Sequence, residues 1–177
     1  AQKHPQPKTA ELSRAEKLVD EVFGKDIATA KSAQDKTKLA QEILKAAREE
    51  QDLAVRFAAL QAARKLAVEA LDGKLGLEIT KEIVSTYEPL EAMAQADRLA
   101  EADRLWAQAE KAQGREKLAK QLEAAEGYLY LLPATGIVQT KIERRLGELG
   151  KNPSFDITVS APNLSKGTWV WGHAGNV

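Results

Sequence analysis

Apolar residues recur at helical spacing along most of the chain, and then the period changes from about 3.6 to 2. Ser13-Arg14-Ala15-Glu16 fits a capping box and predicts the start of a first helix, with Leu18, Val19, Val22, Phe23 and Ile27 as its apolar stripe. Gly24 interrupts that stripe and predicts a kink or an early end. Ser32 is placed to cap a second helix, which turns Leu39, Ile43, Leu44 and Ala47 inward. Asp52 is placed to cap a third, with Leu53, Phe57, Leu60, Leu66, Ala67 and Leu71 inward and Asp72-Gly73 as its stop. A fourth carries Leu77, Ile79, Ile83, Val84 and Tyr87.

Pro89 suits the first turn of a long fifth helix, to about Ala112, with the stripe Leu90, Met93, Leu99, Ala102, Leu105, Trp106 and Ala109. Within it Ala96-Asp97-Arg98-Leu99 recurs as Ala102-Asp103-Arg104-Leu105. The offset leaves the copies ~120° apart around a helix, so the echo marks no common face. Gly114 separates a sixth helix, with Leu118, Leu122, Ala125, Tyr128 and Leu132, which Pro133 stops. Thr135 opens a seventh, with Ile137, Val138, Ile142, Leu146 and Leu149 inward. Short connections predict antiparallel hairpins, one-two, three-four and five-six, with helix seven as a lid.

The domain expectation is an extended arm over residues 1–12, a mainly α body over 13–150 and a β-type segment over 151–177. Pro5 and Pro7 forbid helix in the arm. Past Gly150, Phe155-Asp156-Ile157-Thr158-Val159-Ser160 alternates as a strand does, and Gly167-Thr168-Trp169-Val170-Trp171-Gly172 follows. Two of the three Trp stand there, in a chain only 5% aromatic. In an extended segment both indoles point to one face. Burying one Trp removes ~150–250 Å² from water, roughly 4–6 kcal/mol gross at ~25 cal/mol/Å². Phe155, Ile157, Val159, Trp169, Val170 and Trp171 are therefore the expected assembly contacts. The two stretches read either as a hairpin folded back on the helices, as strands given to a neighbouring subunit, or as the opening of a β-rich domain.

Composition narrows the function classes. Twenty-six Lys and Arg balance 26 Asp and Glu, without the basic surplus of a nucleic-acid binder. No stretch has the ~20 apolar residues of a membrane span. With no Cys, disulfides, thiolate catalysis and Cys-based metal sites are absent together. His4 and His173 lie far apart, in the two flanking segments, and form no His-Glu-x-x-His or Glu-x-x-His pattern. Asp97 and Glu101 share a helix face, but Arg98 and Arg104 make it an ion-pair surface. Glu49, Glu50 and Asp52 read as capping rather than metal binding, and Trp106 as core. The expectation is that the chain is no enzyme and takes no cofactor or metal. Asn163-Leu164-Ser165 fits the N-glycosylation pattern, whose use the sequence does not fix. The start Ala1-Gln2, running into a Pro-interrupted polar arm, resembles a processed exported protein, with a cytoplasmic location as the alternative.

Helix pairs of roughly 34 residues, small residues at Ala63, Ala67, Ala119 and Ala125, and Gly127-x-Tyr-x-Tyr130 ahead of Pro133 carry a resemblance. Residues 13–149 resemble the divergent tetratricopeptide-like helical domains of exported bacterial proteins, although the Trp-Leu-Gly-Tyr signature of the first repeat helix is nowhere complete. The resemblance implies a protein-interaction scaffold, often set before a β-rich domain. Two functions follow as expectations: a self-assembling exported structural subunit, oligomeric or filamentous, or a scaffold that recruits another protein or supports a β-domain.

Overall fold

Seven helices follow one another in the computed structural model, which describes residues 2–151. They are α1 Thr9–Thr29, α2 Ala33–Glu49, α3 Leu53–Glu69, α4 Gly73–Thr86, α5 Gln95–Lys111, α6 Gly114–Tyr130 and α7 Gly136–Gly150. Among the described residues there is no strand, only one isolated parallel bridge between His4 and Tyr87. The expected assembly contacts Phe155, Ile157, Val159, Trp169, Val170 and Trp171 lie outside the described residues, as does the β-type segment that contains them.

The caps explain the helix starts. Ser32 Oγ accepts from the Asp35 amide at 3.0 Å, and the Asp35 carboxylate accepts from the Ser32 amide at 3.2 Å. Asp52 Oδ1 accepts from the Ala54 and Val55 amides at 2.9 and 3.2 Å. The Glu50 carboxylate accepts from the Asp52 amide at 2.7 Å, so the acidic cluster at this junction is a capping device. α1 begins four residues before Ser13, because Glu11 accepts from the Lys8 amide at 2.9 Å and Leu12 packs on the core. Gly24 does not end α1, which continues to Thr29 and buries Phe23.

The stop after α3 differs from expectation. Leu71, not Gly73, takes the left-handed position, at φ 59°. Its amide donates to Val68 O at 3.0 Å, and the Asp72 amide donates to Ala67 O at 2.9 Å. These two bonds form a Schellman motif with leucine where glycine is usual. Asp72 then caps α4 through Leu75 N at 3.0 Å, and Gly73 is a buried first-turn residue.

The fifth helix is shorter than expected. The arm pairs with the chain just ahead of the helix's expected start: the His4 amide donates to Thr86 O at 2.9 Å, and the Glu88 amide donates to His4 O at 2.7 Å. Tyr87 is thereby held extended, and helix resumes only at Gln95. Leu90 and Met93, placed inward by periodicity, are 76% and 37% exposed. Leu53, Leu71, Leu132 and Ile137 are likewise exposed rather than inward.

The pairing also departs from three successive hairpins. α1 turns its stripe mainly to α3 and touches α2 little, while α2 packs closely along α3. α3 continues onto α4, α4 onto α6, and α5 lies along α6. α7 packs against α4 and α6. Two apolar clusters result. Phe23, Ile43, Leu60, Ile79 and Ile83 belong to the first, and Trp106, Leu122, Tyr128, Ile142 and Leu149 to the second. α4 serves both, with Leu75, Ile79 and Ile83 in one and Leu77 in the other. The α4–α6 approach depends on Gly76, where an added Cβ would stand 2.6 Å from Leu122 Cδ1.

Candidate functional site

The N-terminal half of α5 has a groove on each flank. At ~100° per residue, Arg98, Glu101, Ala102 and Leu105 face one direction, and Gln95, Ala96 and Leu99 face roughly 120° away. The first group, with the 89–93 segment and the α6 residues Glu123, Gly127 and Tyr130, lines a groove of about 390 Å³. The second, with Leu131, Pro133, Ala134 and Val138, lines one of about 300 Å³. Leu90 and Met93 stand at the first groove, and Leu132 and Ile137 adjoin the residues of the second. Four of the six large hydrophobic side chains exposed among the described residues thus line these grooves or stand next in the chain to residues that do.

The first groove has an apolar floor and an acidic rim. Its floor is the close α5–α6 approach, where a Cβ on Gly127 would stand 3.1 Å from Ala102 Cβ. At one end the Arg98 guanidinium lies 5.5 Å from the Tyr130 ring centroid and donates to Glu91 O at 2.9 Å. Tyr130 donates to Tyr87 O at 3.1 Å, and the Lys3 ammonium lies 4.9 Å from the same ring. Burial, then the Glu126 charge, pushes the Tyr130 phenol up to about 12, so it remains a neutral donor at physiological pH. On the rim, Glu101 pairs with Arg104 at 2.5 Å and Glu126 with Arg64 at 2.6 Å. Glu91 and Glu123 have no ion-pair partner among the described residues.

The other polar concentration is an anchor. Asp103 on α5 accepts from Tyr128 on α6 at 2.7 Å, and from Lys141 and Arg145 on α7 at 2.5 Å each. Arg145 also donates to the Tyr128 hydroxyl and lies 5.4 Å from the Trp106 and Tyr128 ring centroids. Burial alone would raise the Asp103 carboxyl. Hydrogen bonds from Lys141, Tyr128 and Arg145 outweigh it and hold the carboxyl below its ordinary value. Burial, then the bond to Asp103, raises the Tyr128 phenol. A depressed carboxyl and a raised phenol, each already partnered, are poor proton shuttles at neutral pH. The cluster ties three helices together instead.

The residues weighed from sequence fall as follows. Trp106 is 2% exposed, with its ring 6.4 Å from Tyr128, and is core. The face carrying Asp97 and Glu101 holds the Arg104 ion pair, while Arg98 turns to Tyr130 and the Glu91 carbonyl. His4 is exposed, and its backbone holds the arm. No group of three or more His, Cys, Asp or Glu among the described residues is placed to hold a metal ion. No helix among them is long and apolar enough to cross a membrane. Sequence reasoning missed the first groove because a third of its lining, from residues 89–93, reads as helix by spacing. Compared with protein-family models, curated proteins and solved structures, the chain matches none.

Proposed function

We propose that the chain is a non-catalytic structural or interaction subunit that associates with copies of itself. The observation that carries this reading is the apolar belt around the first half of α5: Leu90, Met93, Leu132 and Ile137 exposed beside two grooves. Exposed apolar surface concentrated in one place favours a partner surface, whereas scattered single residues do not. The Trp169-Val170-Trp171 segment supplies a second apolar element. Light scattering across a concentration series tests the reading. The expected mass exceeds the 19.3 kDa of one chain and falls toward it in a Leu90→Asp/Ile137→Asp variant. A mass of one chain at every concentration overturns it.

A second reading is a tetratricopeptide-like scaffold that recruits a different protein or supports a β-rich domain. It draws on the helix-to-helix succession α2–α3–α4 and α5–α6 over short connections. A monomeric mass together with an unchanged helical body favours that reading over self-association.

A further inference from the structure

We propose that the groove between α5, α6 and residues 89–93 receives the Trp169-Val170-Trp171 segment of a second copy of this chain. The inference rests on the self-association reading and names its contact. Four observations support it. The groove, at about 390 Å³, falls in the ~300–1,000 Å³ range of clefts that enclose a bound group. Its floor is apolar, and Leu90 and Met93, which line it, are exposed. Its rim holds Glu91 and Glu123, which have no ion-pair partner among the described residues and are acceptors that suit the two indole N–H donors. Charge matches as well. Lys166 and His173 flank the Trp pair, and no acidic residue lies between Ser160 and Val177. A basic-flanked aromatic pair is complementary to a groove rimmed by carboxylates.

The choice of a second copy over the same chain comes from area. An indole buries ~150–250 Å², and a reciprocal exchange buries four of them with an equal share of groove wall, reaching the roughly 1,600 Å² of a standard stable interface. A neighbouring body also covers Leu132 and Ile137 on the other flank of α5. A segment docked within one chain leaves that flank open.

The absence of native Cys makes the test direct. Glu123→Cys and Val170→Cys are made as separate single variants of the full chain, mixed, and oxidised. The expected product is the mixed 123–170 disulfide, about tenfold over the yield from Glu110→Cys with Val170→Cys, because docking raises the local thiol concentration. Adding Leu90→Asp to the Glu123→Cys chain should remove the excess. Mixed-disulfide yield no greater than the control, in a wild type whose mass by light scattering is oligomeric, overturns the groove while self-association stands. A Glu123→Cys/Val170→Cys double variant that closes within one chain, at a mass of one chain, overturns the second copy and self-association together.

Discussion

Asp103 on α5 accepts a hydrogen bond from the Tyr128 hydroxyl on α6 at 2.7 Å, and the same carboxylate takes both cations that α7 presents. α7 has few apolar residues, with Ile142, Leu146 and Leu149 buried. Asp103 adds a polar link to that apolar attachment. Asp103→Asn should cost about 1–3 kcal/mol, since Arg145 and Lys141 lose their counter-charge at a site only partly open to water. The pH dependence has a definite sign. A carboxyl depressed in the folded state stabilises above its unfolded pKa of ~3.9, and that stability is lost as pH falls through the folded value. Urea melts should show a constant gap between wild type and Asp103→Asn from neutral pH down to about 5, closing below about 4. A gap that persists at low pH refutes the role.

Leu71 occupies a backbone region that costs a non-glycine residue ~1–2 kcal/mol. It is 47% exposed, so its side chain returns little. Leu71→Gly should stabilise the fold by about 0.5–1 kcal/mol after the added freedom of the unfolded chain is subtracted. Thermal melts of the two proteins measure it. A lower melting temperature shows that Leu71 packs more tightly than its exposure indicates.

Gly76 tests the approach of α4 to α6. Alanine ordinarily gains ~0.5–1 kcal/mol over glycine inside a helix. Here the added methyl meets Leu122, which is 1% exposed and hemmed in. Overpacking costs ~1–3 kcal/mol, so Gly76→Ala should lose about 1 kcal/mol net. Leu122→Ala should be less damaging in the Gly76→Ala background than alone, and a double-mutant cycle reads that coupling.

The arm is secured by backbone bonds, so its loss is legible by amide exchange. Deleting residues 1–7 removes the His4 carbonyl that the Glu88 amide uses, and the Gln6 side chain that donates to Glu88 O at 3.1 Å. The Glu88 amide should then exchange faster, with a global cost of about 1–2 kcal/mol for bonds at the surface. Unchanged protection at Glu88 refutes the docking of the arm.

Much of the helical body is legible in the residues, and the reasons are local. Ser32 and Asp52 cap as expected, and Thr135 occupies the N-cap position of α7. Trp106 and Tyr128 are buried where helical spacing puts them. The misplacements are local too. Leu53, Leu71, Leu132 and Ile137 stand at or just beyond a helix end, and Leu90 and Met93 lie in the connection between α4 and α5. Periodicity assigns a face to a residue, but the neighbouring helix has to extend far enough to cover that face. At an end it does not. The arm's bonds to residues 86 and 88, and the link from Asp103 to Lys141 and Arg145, join distant parts of the chain. No spacing rule reaches that far. The grooves beside α5 follow from those placements and were illegible for the same reason.

α4 lends residues to both apolar clusters, so the second cluster is incomplete without Leu77 from the first half of the described body, whereas the first lies wholly within residues 15–87. Cutting the chain between α4 and α5 would leave Leu77 bare on one fragment and the α6 surface opposite Gly76 bare on the other. The dependence therefore runs one way: α5–α7 lean on α4 to close their interior, while the α1–α4 cluster takes no buried residue from them.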